Sequence, residues 1–167
     1  MKRASTSSTG SWSPWVDTIH RRCLDTYRGI GGAHHSASYR GGDEWRGLRV
    51  LVAGHNTSAL EIASELALKG AARVLIAARR HRYVFHRMLH GVPMDHRLFT
   101  RSQGLAWEAL PREALSAALK QLLLDTTGAP SQYGAPVHSD DLLTAGFTHS
   151  PFYLQLVAEG QIGTSCR

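Results

Sequence analysis

The sequence predicts an α/β fold with a parallel sheet, and three observations predict it. A short apolar run, Arg49-Val50-Leu51-Val52-Ala53-Gly54, leads into a stretch of helical periodicity. A second apolar run, Arg73-Val74-Leu75-Ile76-Ala77-Ala78, follows it. The turn between the first run and the helix opens on glycine. Strand, helix and strand within about thirty residues form a βαβ unit, whose crossover is right-handed and whose strands are parallel.

Taken in order, residues 1–46 read as irregular. Met1 to Ser13 is rich in Ser and Thr and lacks the apolar stretch of a secretory signal. Glycines at 29, 31, 32, 41 and 42 then punctuate a loop-like segment. The run from Arg49 to Gly54 reads as a buried strand. Thr57 or Ser58 is the expected N-cap of the next element. Ala59, Ile62, Ala63 and Leu66 form its apolar face, with Glu61, Glu65 and Lys69 at i, i+4 spacing opposite. Gly70 ends the helix, and the second strand follows.

Downstream the pattern is weaker. Residues 81–104 mix arginine, histidine and apolar side chains without a steady period. Pro111 opens a helix expected at 112–124, with Leu115, Ala118, Leu119 and Leu122 on one face. Gly128, Pro130, Gly134 and Pro136 mark a loop. Residues 152–159 form a short apolar element ended by Gly160.

Composition narrows the function classes. With 43% apolar and 19% charged residues in 167, the chain has material for a core. No apolar run reaches membrane-spanning length. Cys23 and Cys166 share no metal-binding or redox spacing, so a reducing, cytoplasmic setting is expected. Lys+Arg 19 against Asp+Glu 13 gives +6, and the excess is local. Arg79, Arg80, Arg82, Arg87, Arg97 and Arg101 face a single acid, Asp95, within 79–101. A local charge implies a local anionic partner: a phosphate-bearing ligand or, less well supported, nucleic acid.

The turn residues select between these. Gly54-His55-Asn56-Thr57-Ser58-Ala59 occupies the place where dinucleotide-binding folds carry G-x-G-x-x-G/A. The first glycine makes the tight turn, a small second residue lets backbone N–H groups reach the pyrophosphate, and a small third residue lets the helix pack on the strand. Gly54 and Ala59 satisfy the first and third positions. Asn56 departs at the second, and asparagine tolerates the left-handed φ such a turn could require. Gly54, His55, Asn56, Thr57, Ser58 and Ala59 are therefore the candidate pyrophosphate-binding residues. The second strand ends Ala77-Ala78-Arg79-Arg80-His81-Arg82, with no acid to hold a ribose 2′-OH. Arg79 and Arg80 suit a 2′-phosphate, which favours NADPH over NADH.

These residues resemble the NADPH-binding domain of the flavin-dependent monooxygenases, the group that includes flavin-containing and Baeyer–Villiger-type enzymes. The run from Gly47 to Ala63 resembles that family's strand–turn–helix unit. Arg79-Arg80 resembles its arginine pair, and Gly91-Val92-Pro93 its following turn. Upstream, His35-Ser36-Ala37-Ser38-Tyr39 resembles the family's H-x-x-x-Y. Thr9-Gly10-Ser11-Trp12-Ser13-Pro14 resembles its crossing between FAD and NADPH domains. The resemblance implies an oxidoreductase in which NADPH reduces FAD and oxygen enters a substrate. It marks Thr9, Gly10, His35 and Tyr39 as family-motif positions.

It also implies an incomplete dinucleotide-binding domain of a two-dinucleotide flavoprotein. The FAD fingerprint expected before residue 9 is not in the sequence, so a fragment is expected, with a separate FAD-domain chain as its partner or, alternatively, a role as a non-catalytic nucleotide-binding remnant. The expected organisation is an irregular segment with a linker remnant over 1–46, a Rossmann-like NADPH-binding domain over 47–127 and a loop-rich segment over 128–167. No catalytic residue is assigned.

Other constellations carry less. His86 and His90 have helix-face spacing for a metal, but Arg87 stands where a general base would. Ser58 lacks the G-x-S-x-G frame of a nucleophile. The arginine block matches no DNA- or RNA-binding module.

Overall fold

The computed structural model describes residues 34–166. The chain divides into two units, Met1–Arg40 and Gly41–Arg167. In the first, the described residues form a 3-10 turn, Ser36–Ser38, whose entry is capped by His35: Nδ1 accepts from the Ala37 N–H at 3.1 Å.

In the second unit, strand β1 (Arg49–Ala53), helix α1 (Thr57–Leu68) and strand β2 (Arg73–Ala78) form the expected βαβ unit. β1 and β2 are parallel, with Arg49 opposite Arg73 and Ala53 opposite Ala77. A third strand, β7 (Ile162–Cys166), adds in parallel to the other side of β2, giving the order β1-β2-β7. The sequence pattern did not predict β7. Its Gly163, Thr164 and Ser165 carry no apolar signal, and pairing with β2 holds it in place.

Helix α1 ends as expected. Gly70 takes φ +87, its N–H donates to the Ala67 carbonyl, and the Ala71 N–H reaches back to the Leu66 carbonyl. That pair of bonds is a Schellman motif, which needs the left-handed residue glycine supplies. Its start differs from expectation. Asn56, with φ −113 and ψ 172, is the N-cap, because the chain stays extended there and enters helical geometry only at Thr57. The buried face differs too. Leu60, Ala63, Ser64 and Leu66 are buried while Ala59 and Ile62 are half-covered, because the helix packs both on the sheet and on a later helix.

The run at β1 reads as a buried strand, yet its residues alternate between exposed and half-buried. β1 is an edge strand, and the sheet face bearing Leu51 has no layer over it among the described residues. Leu51 is 47% exposed. β2, central in the sheet, buries Val74, Ile76 and Ala78.

The weakly patterned middle folds into short pieces around a second core. Strand β3 (Tyr83–Phe85) is fully buried and pairs in parallel with β6 (Phe147–His149). β4 (Met88–Leu89) and β5 (Val92–Pro93) form a hairpin closed by His90 and Gly91, at φ 50 and 76. Two successive positive φ values make the primed turn whose twist suits a two-residue hairpin. Helices α2 (Met94–Leu98), α3 (Arg101–Glu108) and α4 (Arg112–Thr126) follow. Phe85, Leu89, Met94, Leu98, Leu119 and Leu123 fill the core between them.

α4 starts after Pro111 as expected but runs one turn fraction further, to Thr126. Ala118 is exposed and Ser116 is buried in its stead, because the Ser116 hydroxyl turns inward to hydrogen-bond the Asp141 carboxylate. Short helix α5 (Leu142–Ala145) precedes β6, and α6 (Tyr153–Ala158), ended at Gly160, leads into β7. α6 packs on α1 and β7. Among the described residues no helix is long and apolar enough to cross a membrane.

Candidate functional site

The C-terminal ends of β1 and β2 lie side by side, which places the turn after β1 next to the segment after β2. Neighbouring strands are about 4.8 Å apart. The Gly54 N–H donates to the Ala77 carbonyl at 2.9 Å and closes the gap between the two strand ends. Gly54 has φ +122, where a side chain is strained. A Cβ there would only reach ordinary contact with the Ala59 Cβ, at 3.7 Å. Backbone conformation, rather than space, therefore calls for glycine. Asn56 does not take the left-handed φ that its place in the motif allowed for, since Gly54 alone supplies the turn.

The Asn56 side chain makes no capping bond to the first turn of α1. The backbone N–H groups there carry the positive end of the helix dipole and have no side-chain cap from Asn56. Asn56 and Ser58 are exposed, and Ala59 is half-buried against the turn. Thr57 is held by its hydroxyl, 3.0 Å from that of Thr148 in β6.

Arg79 and Arg80 follow β2 immediately. Both are exposed, and neither forms an ion pair among the described residues. Arg87, from the same basic block, approaches Glu61 of α1 at 4.0 Å. The two arginines nearest the strand end are thus exposed beside the turn and free of ion pairs among the described residues.

His55 behaves unlike a passive turn residue. It is 5% exposed, and its Nε2 lies 3.0 Å from the Tyr153 hydroxyl of α6. Its Nδ1 accepts from the Arg82 backbone N–H at 3.2 Å. The ring also meets His81 edge-on, with centroids 4.7 Å apart. Burial, reinforced by the neighbouring His81, pushes the His55 pKa down to about 4, so the ring is neutral. Burial raises the Tyr153 hydroxyl in the opposite direction. His81 is fully buried, and its Nε2 bonds the Ser165 carbonyl of β7 at 3.2 Å.

The structure thus brings the turn, residues 54–59, together with the segment that begins at Arg79. His35 and Tyr39 lie on their own 3-10 turn in the first unit. Thr9 and Gly10 lie outside the described residues. Sequence reasoning missed Tyr153, Thr148, His81 and Arg82 as neighbours of the turn. Tyr153 and Thr148 stand 98 and 91 residues from their partners, and nothing local marks them.

The chain matches the family model described as flavin-binding monooxygenase-like over residues 21–141. It is 36% identical over 103 residues to the N-oxide-forming dimethylaniline monooxygenase 2 of Pan troglodytes, covering 59% of this chain and 19% of that protein. It is 36% identical over 88 residues to human flavin-containing monooxygenase 2, covering 52% and 16%. The rat N-oxide-forming dimethylaniline monooxygenase 2 is 29% identical over 136 residues, covering 66% and 25%. The chain thus spans about a fifth of the length of the curated relatives it matches. With the family model covering well over half of its residues, the chain belongs to the flavin-binding monooxygenase-like family, a group of FAD- and NADP-dependent oxidoreductases.

Proposed function

We propose that this chain is the NADPH-binding part of a flavin-dependent monooxygenase. The carrying observation is the juxtaposition of a glycine-turned helix N-terminus with two exposed, uncommitted arginines at the end of the neighbouring strand. The backbone of residues 54–59 suits the pyrophosphate, because N–H groups and the helix dipole favour anions there. Arg79 and Arg80 suit the 2′-phosphate that distinguishes NADPH from NADH. His55 is buried in the turn, so it supports the site from beneath and does not face the nucleotide.

When bound in such an enzyme, NADPH supplies the hydride that reduces FAD before oxygen enters a substrate. The role of this chain is to bind and orient the dinucleotide. The sequence holds no second G-x-G-x-x-G/A turn, and no residue is assigned to FAD.

Calorimetric titration of the purified chain with NADP+ and NAD+ tests the reading. Replacing both arginines, Arg79→Ala with Arg80→Ala, is expected to weaken NADP+ by about 10- to 100-fold. That range corresponds to losing one or two charge-assisted hydrogen bonds. NAD+ is expected to change little. Equal loss for both dinucleotides would remove the 2′-phosphate role.

A further inference from the structure

His55 fills the variable place of the turn, between Gly54 and Asn56, and two separate parts of the fold, the segment after β2 and helix α6, meet on its ring. The Arg82 backbone N–H can only donate, so Nδ1 is the acceptor and the ring proton sits on Nε2. Nε2–H then donates to the Tyr153 hydroxyl. The fixed donor sets the tautomer, and the tautomer sets both contacts.

We propose that His55 is a positioning residue for cofactor selectivity: through Arg82 it holds the arginine-bearing segment after β2 beside the pyrophosphate turn. This rests on the NADPH reading above. Residues 79–82 are short and leave the sheet at Ala78. The β2 ladder anchors one end of the segment. At the other, the Arg82 N–H on His55 is joined by the His138 N–H on the His81 carbonyl, the His81 ring on the Ser165 carbonyl and the Tyr83 N–H on the Gly146 carbonyl. Arg79 and Arg80 stand between these anchors, with side chains exposed. A guanidinium on a fixed backbone loses less freedom on meeting a phosphate than one on a loose loop, so the clamp acts on 2′-phosphate binding. Pyrophosphate binding depends on the Gly54 turn and the α1 N-terminus, which the same loosening leaves in place.

Two substitutions separate the contacts. In His55→Asn the side-chain oxygen stands in for Nδ1 and keeps the Arg82 N–H bonded, while the link to Tyr153 is lost. In His55→Gln the longer amide reaches Tyr153 and leaves Arg82 unpaired. Hydrogen–deuterium exchange on the full chain reads the Arg82 amide, and NADP+ and NAD+ titrations read selectivity. His55→Gln is expected to lose Arg82 protection and to lower the preference for NADP+ over NAD+ about tenfold. His55→Asn is expected to retain both. If the two variants lose preference alike, or His55→Gln keeps it, the positioning role is overturned. A wild-type chain with no preference for NADP+ overturns the cofactor reading itself, and the exchange data then report the clamp alone.

Discussion

The two faces of the three-stranded sheet live in different surroundings. On one, Leu60, Ala63 and Leu66 of α1 cover Val74, Ile76 and Ile162, all of them nearly inaccessible. On the other, Arg49, Leu51, Arg73 and Leu75 border an open hollow of about 340 Å3 that also touches Val50. Parallel sheets usually bury both faces. The strands themselves do not announce the difference. Arg-Val-Leu-Val-Ala in β1 and Arg-Val-Leu-Ile-Ala-Ala in β2 are nearly the same string, yet one has no buried residue and the other buries every second residue. Position in the sheet, rather than composition, decides burial.

Truncation of one side chain on each face is the strongest test of that contrast. Ile76→Ala on the covered face removes a fully buried side chain and leaves a cavity under α1, for an expected loss of about 3–4 kcal/mol. Leu51→Ala on the open face removes a side chain already half in water and should cost less than about 1 kcal/mol. Urea denaturation of the two variants reads the difference directly. A Leu51→Ala loss as large as that of Ile76→Ala would show that the second face is covered in solution.

The covered side also carries the pH response. His55 lies at its C-terminal end, packed on α6, with a pKa near 4 in the fold against about 6.5 in the unfolded chain. The unfolded state therefore binds the extra proton between those values, and stability rises with pH across that window. At about 1.4 kcal/mol per unit, acidification from pH 6.5 to about 4 removes on the order of 3 kcal/mol. His55→Asn should flatten that slope in denaturation curves collected at successive pH values. An unchanged slope would mean that another group carries it.

How much of this was legible follows from where each signal sits. β1, α1 and β2 were readable because an apolar run, a 3.6-residue period and a terminal glycine are all local. Gly54 was readable for the same reason, and so were the two arginines, which simply follow a strand. β7 was not, since Gly163, Thr164 and Ser165 become a strand only by bonding β2. The N-cap shifted to Asn56 because the cap depends on where the chain leaves extended geometry, which the Gly54 turn determines. The role of His55 was out of reach. Its partners Arg82 and Tyr153 come from different elements, and a histidine in the variable place of a turn motif looks like solvent-facing filler until the fold encloses it.

The smallest expected effect gives the finest reading of the open face. Gly163 stands opposite Leu75 in β7, with its backbone outside the left-handed region, so no conformational need for glycine exists there. A Cβ added at this position would meet the Leu75 Cδ1 at 3.1 Å, tighter than a relaxed contact by a few tenths of an ångström. Whether Leu75 can yield decides the sign. On an uncovered face its terminal methyl swings toward water at little cost, and the loss of glycine's unfolded-state freedom then stabilises by up to about 1 kcal/mol. Under a covering layer Leu75 would be pinned, and the same substitution would destabilise. Gly163→Ala should therefore raise the urea midpoint slightly, and a lowered midpoint would mean that Leu75 is held from above.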